Sequence, residues 1–214
     1  MMKLGIVNNT LDYYRLYAQE PHGRHKSWEH CYLHFRGKRL KSKNDFDNAA
    51  LHLAFYLASW GMYRGSSQIF HKDYKIHIPV VRVLVSPKYE ALWSLDCDSL
   101  QLNDPSIGLI FKLAEDVRKA LMQNGITPTP TLTTKIIMGT AGCVPAYDRN
   151  FVAGVKRLGK FPASFGSKSY GGIVQFYQEH ADEFKEAQAI IAKSSFEYPP
   201  MKLVDMYFLR LGKR

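Results

Sequence analysis

The sequence predicts a mostly α protein, a single globular helical domain with at most one short extended element. Three observations carry this. Apolar residues recur at helical spacing from Asp45 to the C-terminus. Only Tyr74 to Val85 is rich in β-branched residues, and Pro79 interrupts it. No repeat, low-complexity tract or Pro/Gly/Ser linker divides the 214 residues. The chain is therefore treated as one unit, with a basic N-terminal region over 1–44 and a helical core over 45–214.

Asp45 to Trp60 carries Phe46, Ala49, Ala50, Leu53, Leu57 and Trp60 on one face. Asn44 or Asp45 is placed to cap this helix and Gly61 to end it. Its other face (Leu51, Ala54, Phe55, Ala58) is apolar as well, which predicts a central, buried helix. YKIHIPVVRVLV, Tyr74 to Val85, is the one strand candidate, and Pro79 demotes it to an edge or a connector.

Ser86-Pro87 opens a helix containing Leu92 and Trp93. Pro105-Ser106 opens another, with Ile110, Leu113, Val117 and Leu121 on one face and Asn124-Gly125 as its stop. After the rigid TPTPT connector, Leu132 to Gly139 reads as a short helix. A Gly-Cys-Val-Pro corner follows, and then a helix beginning at Asp148. Ser169 to Lys193 reads as the longest helix, with Ile173, Tyr177, His180, Phe184, Ala187 and Ile191 as its seam. Pro199-Pro200 opens the last, whose stripe is Met201, Val204, Phe208 and Leu211.

Composition narrows the function classes. Hydrophobic residues make up 46% and charged residues 22%, which sets the chain apart from disordered sequences. Lys and Arg number 29 against 19 Asp and Glu, a net +10 that favours a polyanionic partner, most often nucleic acid. Cys31, Cys97 and Cys143 are far apart and form no CxxC pair, so neither a disulfide framework nor a zinc site is expected. No apolar run is long enough for a membrane span and no signal sequence is visible, so a cytoplasmic protein without a membrane partner is expected. Walker, Rossmann, nucleophile-elbow and kinase motifs are missing, and no cofactor is expected.

Several segments carry chemistry in one reading and structure in another. Asp148 precedes a helix bearing Arg149, Lys156, Arg157 and Lys160, with Lys135 upstream. It is either a helix cap, drawn by free amides and the macrodipole, or a carboxylate facing a polyanion. ASWGMYRGSSQIF, Ala58 to Phe70, crowds Trp60, Met62, Tyr63 and Arg64 around Gly61 and Gly65. It is either a base-stacking, phosphate-gripping loop or a helix end packing into the core. RGKRLKSK, Arg36 to Lys43, is either a phosphate-contact strip or a solvated loop. Lys168 and Ser169 stand where a helix start can hold a phosphate, or where Ser169 simply caps it. His30 and His34 share a helix face, but the base-between-ligands order of a metal site is absent, so no metal is expected.

The run PAYDRNFVAGVKRLG, Pro145 to Gly159, is similar to the stretch after the hairpin in the helix-hairpin-helix DNA glycosylase superfamily. There Pro-x-x-Asp leads into a helix with an apolar residue three positions on and a basic-apolar-Gly ending. Pro145, Asp148, Phe151, Val155 and Arg157-Leu158-Gly159 stand at those positions. The resemblance implies a glycosylase-like helical fold. It also implies that Asp148 supports base excision by stabilising an oxocarbenium-like sugar and orienting a water, as carboxylates do at glycosidic bonds.

On this reading the partner is nucleic acid, in the first place double-stranded DNA. It would be held by Trp60, Tyr63, Arg64, Lys135, Arg149, Lys156, Arg157 and Lys168, with the target base flipped out against an aromatic ring of the Trp60–Tyr63 region. TPTPTLTT stands near the place of the family's Gly-x-Gly hairpin. The lysine of bifunctional members is expected further upstream than Lys135, so a monofunctional glycosylase is implied. Two alternatives remain open: a nucleic-acid-binding module without chemistry, and an interaction domain for a protein partner.

Overall fold

Ser42 marks the first fully legible helix start. Its hydroxyl accepts the Asp45 amide at 3.1 Å while the Asp45 carboxylate accepts the Ser42 amide at 2.8 Å, a reciprocal capping box. The expected cap at Asn44 or Asp45 is thus corrected to Ser42, with Asp45 as the answering carboxylate. The helix spans Lys43–Ser59 and ends as expected at Gly61, whose φ of +75° few other residues adopt.

The computed structural model describes residues 5–18, 20–37, 40–65 and 67–213. Two helices precede Ser42, α1 (Ile6–Ala18) and α2 (His25–Gly37). The Lys43–Ser59 helix is α3. After it come α4 (Ile78–Leu84), α5 (Pro105–Met122), α6 (Pro130–Gly139), α7 (Arg149–Leu158), α8 (Ser167–Glu179), α9 (Ala181–Ala192) and α10 (Pro200–Gly212). Short 3-10 turns lie at Gln68–His71, Tyr74–His77 and Pro87–Ser94. No strand occurs among the described residues.

The extended element expected at Tyr74 to Val85 is therefore a correction. The segment is a 3-10 turn running into α4, with Pro79 in the first turn, where its missing N–H costs nothing. His77, Val80, Val81 and Leu84 are all buried, and their spacing is helical. Burial of that stripe outweighs the β propensity of the valines.

The single long helix expected over Ser169 to Lys193 is also corrected. It breaks at His180, whose backbone (φ −127°, ψ 25°) leaves the helical region between α8 and α9. Neither Gly nor Pro causes the break. The bend lets Phe184 of α9 stack on Tyr177 of α8 at 5.5 Å while Phe176 meets Tyr207 and Phe208 of α10. Ser169, expected as a cap, lies inside α8 and is buried, bonded to the Tyr147 hydroxyl at 3.0 Å. Gly166 takes the cap position instead. The other expected helices agree within a few residues, with Asp104, Thr129 and Asp148 as side-chain caps, except that the one opened at Pro87 is 3-10. The second apolar face of α3, expected to be buried, is instead exposed at Leu51 and Phe55 because no element among the described residues packs over it.

The buried residues of α1 to α10 form one cluster, and the N-terminal region belongs to it through Tyr13, Trp28, Cys31, Tyr32 and Phe35. Helices α7 and α10 approach most closely. A Cβ on Gly154 would lie 2.1 Å from the Phe208 carbonyl oxygen, and one on Gly212 would lie 1.9 Å from that of Asn150. Glycine at both positions is what allows backbone-to-backbone contact. This crossing sets the start of α7 at Asn150 against the end of α10 at Gly212, while Asp205 in the first half of α10 reaches Ala146 just ahead of α7, where the candidate site lies. No helix among the described residues is long and apolar enough to cross a membrane.

Candidate catalytic and nucleic-acid site

Asp148 caps α7. Its Oδ1 accepts the amides of Asn150 and Phe151, both at 3.0 Å, so the cap reading holds in geometry. Its Oδ2 accepts from the Lys135 ammonium at 3.0 Å. The Lys135 side chain is only 5% exposed and that of Asp148 19%. An ion pair this dry is expensive unless every lone pair and proton is used, and here the amides share the carboxylate with the lysine. The Asp148 side chain keeps some exposure to solvent.

The turn leading into Asp148 is held at successive peptide groups. The Ala146 amide donates to Asp205 Oδ1 at 3.1 Å. The Tyr147 amide donates to Thr134 Oγ1 at 3.0 Å, and the Thr131 hydroxyl donates to the Tyr147 carbonyl at 2.9 Å. Asp148 closes the turn by donating its own amide to the Ala146 carbonyl at 2.8 Å. Thr131, Thr134 and Lys135 all come from α6, so the helix that supplies the ammonium also sets the height of the carboxylate.

Trp60 is the hub of the surrounding charge. Lys135 Nζ lies 5.3 Å from its ring centre, Lys202 Nζ 5.6 Å and the Arg24 guanidinium 5.1 Å. Cations over an indole face are attracted by its quadrupole, most strongly where water is excluded. Lys202 also rests on Trp28 at 4.8 Å and Tyr13 at 5.8 Å, and pairs with Asp205 at 3.1 Å. Tyr13, Tyr14, His25, Trp28, Trp60, Tyr198, Lys202 and Met206 enclose a recess of about 10 Å³, room for a single water.

Of the residues singled out from the sequence, the structure brings together Trp60, Lys135 and Asp148. Tyr63 is half-buried, and its hydroxyl bonds His77 Nε2 at 2.7 Å, so its tip faces the core rather than a ligand. Arg64 is exposed and folds its guanidinium back over Gly61. Arg149 and Lys156 are exposed on α7. Arg157 donates to the Leu211 carbonyl at 2.7 Å and so serves the end of α10. Lys168 is exposed at the start of α8, beside a groove of about 620 Å³ that Lys160 and Phe161 also line.

Within the basic strip at Arg36 to Lys43, Lys38 and Arg39 lie outside the described residues, and so does Ser66 of the Trp60 loop. The Arg36 guanidinium donates to the Trp93 carbonyl. His30 is exposed while His34 stacks on His52 at 4.1 Å, and no metal-binding group of His, Cys, Asp or Glu occurs among the described residues. Burial pushes the thiols of Cys31, Cys97 and Cys143 up, that of Cys143 to about 12, which keeps them protonated and inert.

Arg24, Trp28, Lys202 and Asp205 did not stand out in the sequence. A signal existed for two of them. The helix PMKLVDMYFLRLG is apolar on nearly every side, so a Lys and an Asp three residues apart must be buried together as a pair. Burial raises the Asp205 carboxyl above its ordinary range and the charge of Asp148 adds to this, while Lys202 and Lys135 oppose it. The two ion pairs are thus coupled electrostatically. No family model, curated protein or solved structure matches the chain.

Proposed function

We propose that the protein is a DNA glycosylase that cleaves the N-glycosidic bond of a modified or mispaired base, with Asp148 as its working carboxylate. The observation that carries this is the Lys135–Asp148 pair: a partly exposed carboxylate and a buried ammonium at a helix start, next to a cation-bearing indole. The +10 charge supplies the affinity for a polyanion. Bases stack on indole rings whatever their sequence, and for an unstacked base to reach Trp60 the Arg24 guanidinium over that ring has to move aside, since the recess beside it has room for a single water.

The chemistry follows from the charges. As the bond between C1′ and the base nitrogen breaks, its electron pair leaves with the base and the sugar becomes oxocarbenium-like. A carboxylate beside C1′ stabilises that cation and orients the water that adds to it. The water's proton goes to solvent or to the departing base.

A second reading of the same pair is favoured by the position of Lys135. Its separation from Asp148 along the chain argued against Schiff-base chemistry, yet the folded chain puts its nitrogen 3.0 Å from the carboxylate. Transfer of a proton from the ammonium to Asp148 frees an amine that can attack C1′ in place of water. Borohydride reduction separates the readings. A covalent protein–DNA adduct lost in Lys135→Gln supports amine attack, and base release without an adduct supports water. A purely binding role is favoured by one observation, that both Asp148 oxygens already have partners. Binding without base release from any lesion duplex establishes that role and overturns the proposal.

A further inference from the structure

We propose that Asp205 is a positioning residue for the Lys135–Asp148 centre, acting through the Ala146 amide; the inference rests on the glycosylase reading of that centre. Three observations converge on it.

Asp205 is 2% exposed and holds two partners at once, the Ala146 amide through Oδ1 and the Lys202 ammonium through Oδ2. Ala146 begins the turn that delivers Asp148. Thr131 and Thr134 tie that turn to α6, and Asp205 ties it to α10. Without Asp205 the turn is anchored on one side only, and a buried amide loses its acceptor.

The frame behind Asp205 is rigid. The bare glycines at Gly154 and Gly212 let α7 and α10 meet backbone to backbone, so Asp205 stands at a fixed place relative to the start of α7. Motion of α10 therefore does not substitute for the hydrogen bond.

Stability gives no reason to keep the Lys202–Asp205 pair. Apolar side chains of similar volume replace buried ion pairs at little or no loss, and every other buried position of α10 except Tyr207 is apolar. The pair instead touches the site twice. Asp205 holds the turn, and Lys202 rests on the same Trp60 ring as Lys135.

The test compares two double variants of the full chain with wild type. Lys202→Met/Asp205→Leu removes the charges and the acceptor for the Ala146 amide. Lys202→Met/Asp205→Asn removes the charges and keeps an acceptor oxygen. Single-turnover base release is measured on duplexes carrying an oxidised purine, a uracil or an alkylated adenine, together with Tm and duplex affinity. The expected result is a fall of about 100-fold for the Leu variant at unchanged duplex affinity and a Tm lowered only modestly by the unpaired Ala146 amide, with recovery of the rate to within a few-fold for the Asn variant.

Equal rates in both doubles overturn the proposal, as does an equal loss in both. If Asp205→Leu does not fold, Asp205→Ala in the same background takes its place. Wild type that releases no base refutes the glycosylase reading itself. Positioning is then decided by the amide NMR signals of Asn150 and Phe151, which report the cap directly. Displacement in the Leu variant with return in the Asn variant supports it, and unmoved signals in both refute it.

Discussion

The Lys135 ammonium meets the Asp148 carboxylate at 3.0 Å across an interval of 13 residues, joining the middle of α6 to the cap of α7. One side chain thus ends a helix, neutralises a buried lysine and keeps some exposure to solvent. Stability and chemistry make different demands on it, and substitutions can separate them.

Asp148→Asn keeps an oxygen for the Asn150 and Phe151 amides but leaves the Lys135 ammonium buried without a counter-charge. Loss of one partner of a buried pair costs about 3–5 kcal/mol, and the partial exposure of Asp148 moves the expected loss to the low end. Lys135→Met is milder, because the carboxylate left behind retains its amides and some water. Chemical denaturation of the two variants is expected to rank them in that order, and base release falls by at least ~10²-fold in Asp148→Asn while duplex affinity stays within a few-fold.

Acid is expected to weaken the fold through His77. Burial lowers its pKa from 6.5 to about 4, so the folded state favours the neutral ring, whose Nε2 shares a hydrogen bond with the Tyr63 hydroxyl. The unfolded chain binds a proton that the folded chain refuses between those values. Stability is therefore full above about pH 6.5 and falls as pH drops toward 4, by on the order of 3 kcal/mol. Urea midpoints measured from pH 7 to 4.5 should drop in wild type and drop less in His77→Gln. His25, also lowered chiefly by burial, acts in the same direction.

Two glycines in helices should respond oppositely to alanine. A Cβ on Gly154 of α7 meets the Phe208 carbonyl at 2.1 Å, so Gly154→Ala forces α7 from α10 and costs about 1–3 kcal/mol or more. Gly108 of α5 is exposed and has open space at its Cβ, so Gly108→Ala stabilises by roughly 0.5–1 kcal/mol. Thermal melts of the two proteins should move in opposite directions.

The basic residues of α7 divide by role. Lys156 and Arg149 are exposed, and in the proposed DNA-binding role Gln at either position is expected to flatten the salt dependence of duplex binding by about 0.9 in log K against log salt. Arg157 is committed to the Leu211 carbonyl, so Arg157→Gln should lower stability by ~1 kcal/mol and leave the slope largely unchanged. Titrations at several salt concentrations check both.

What the sequence made legible follows from how local the signal is. Helix ends marked by Pro105, Gly61, Gly125, Asp148 and Pro200 could be read because caps and stops act within a few residues. The α4 segment was misjudged because its valines suggest a strand, while the buried spacing of His77, Val80, Val81 and Leu84 depends on what packs over it. The break at His180 has neither Gly nor Pro to mark it, and only the acidic first turn of α9, Asp182 and Glu183, signals a new helix start. In the candidate site, Asp148 and Trp60 stood out by type and setting. Lys202 and Asp205 were hidden inside an apolar stripe, and their closeness to Lys135 of α6 arises from tertiary packing around Trp60 rather than from any local pattern.

Cleavage of an N-glycosidic bond by the proposed Lys135–Asp148 centre is read out most directly by single-turnover base release from lesion-bearing duplexes. Release by wild type, loss of release in Asp148→Asn, and nearly equal duplex affinity for the two are the expected result. Release at the wild-type rate by Asp148→Asn, or tight binding by wild type with no base released from any duplex, would contradict it.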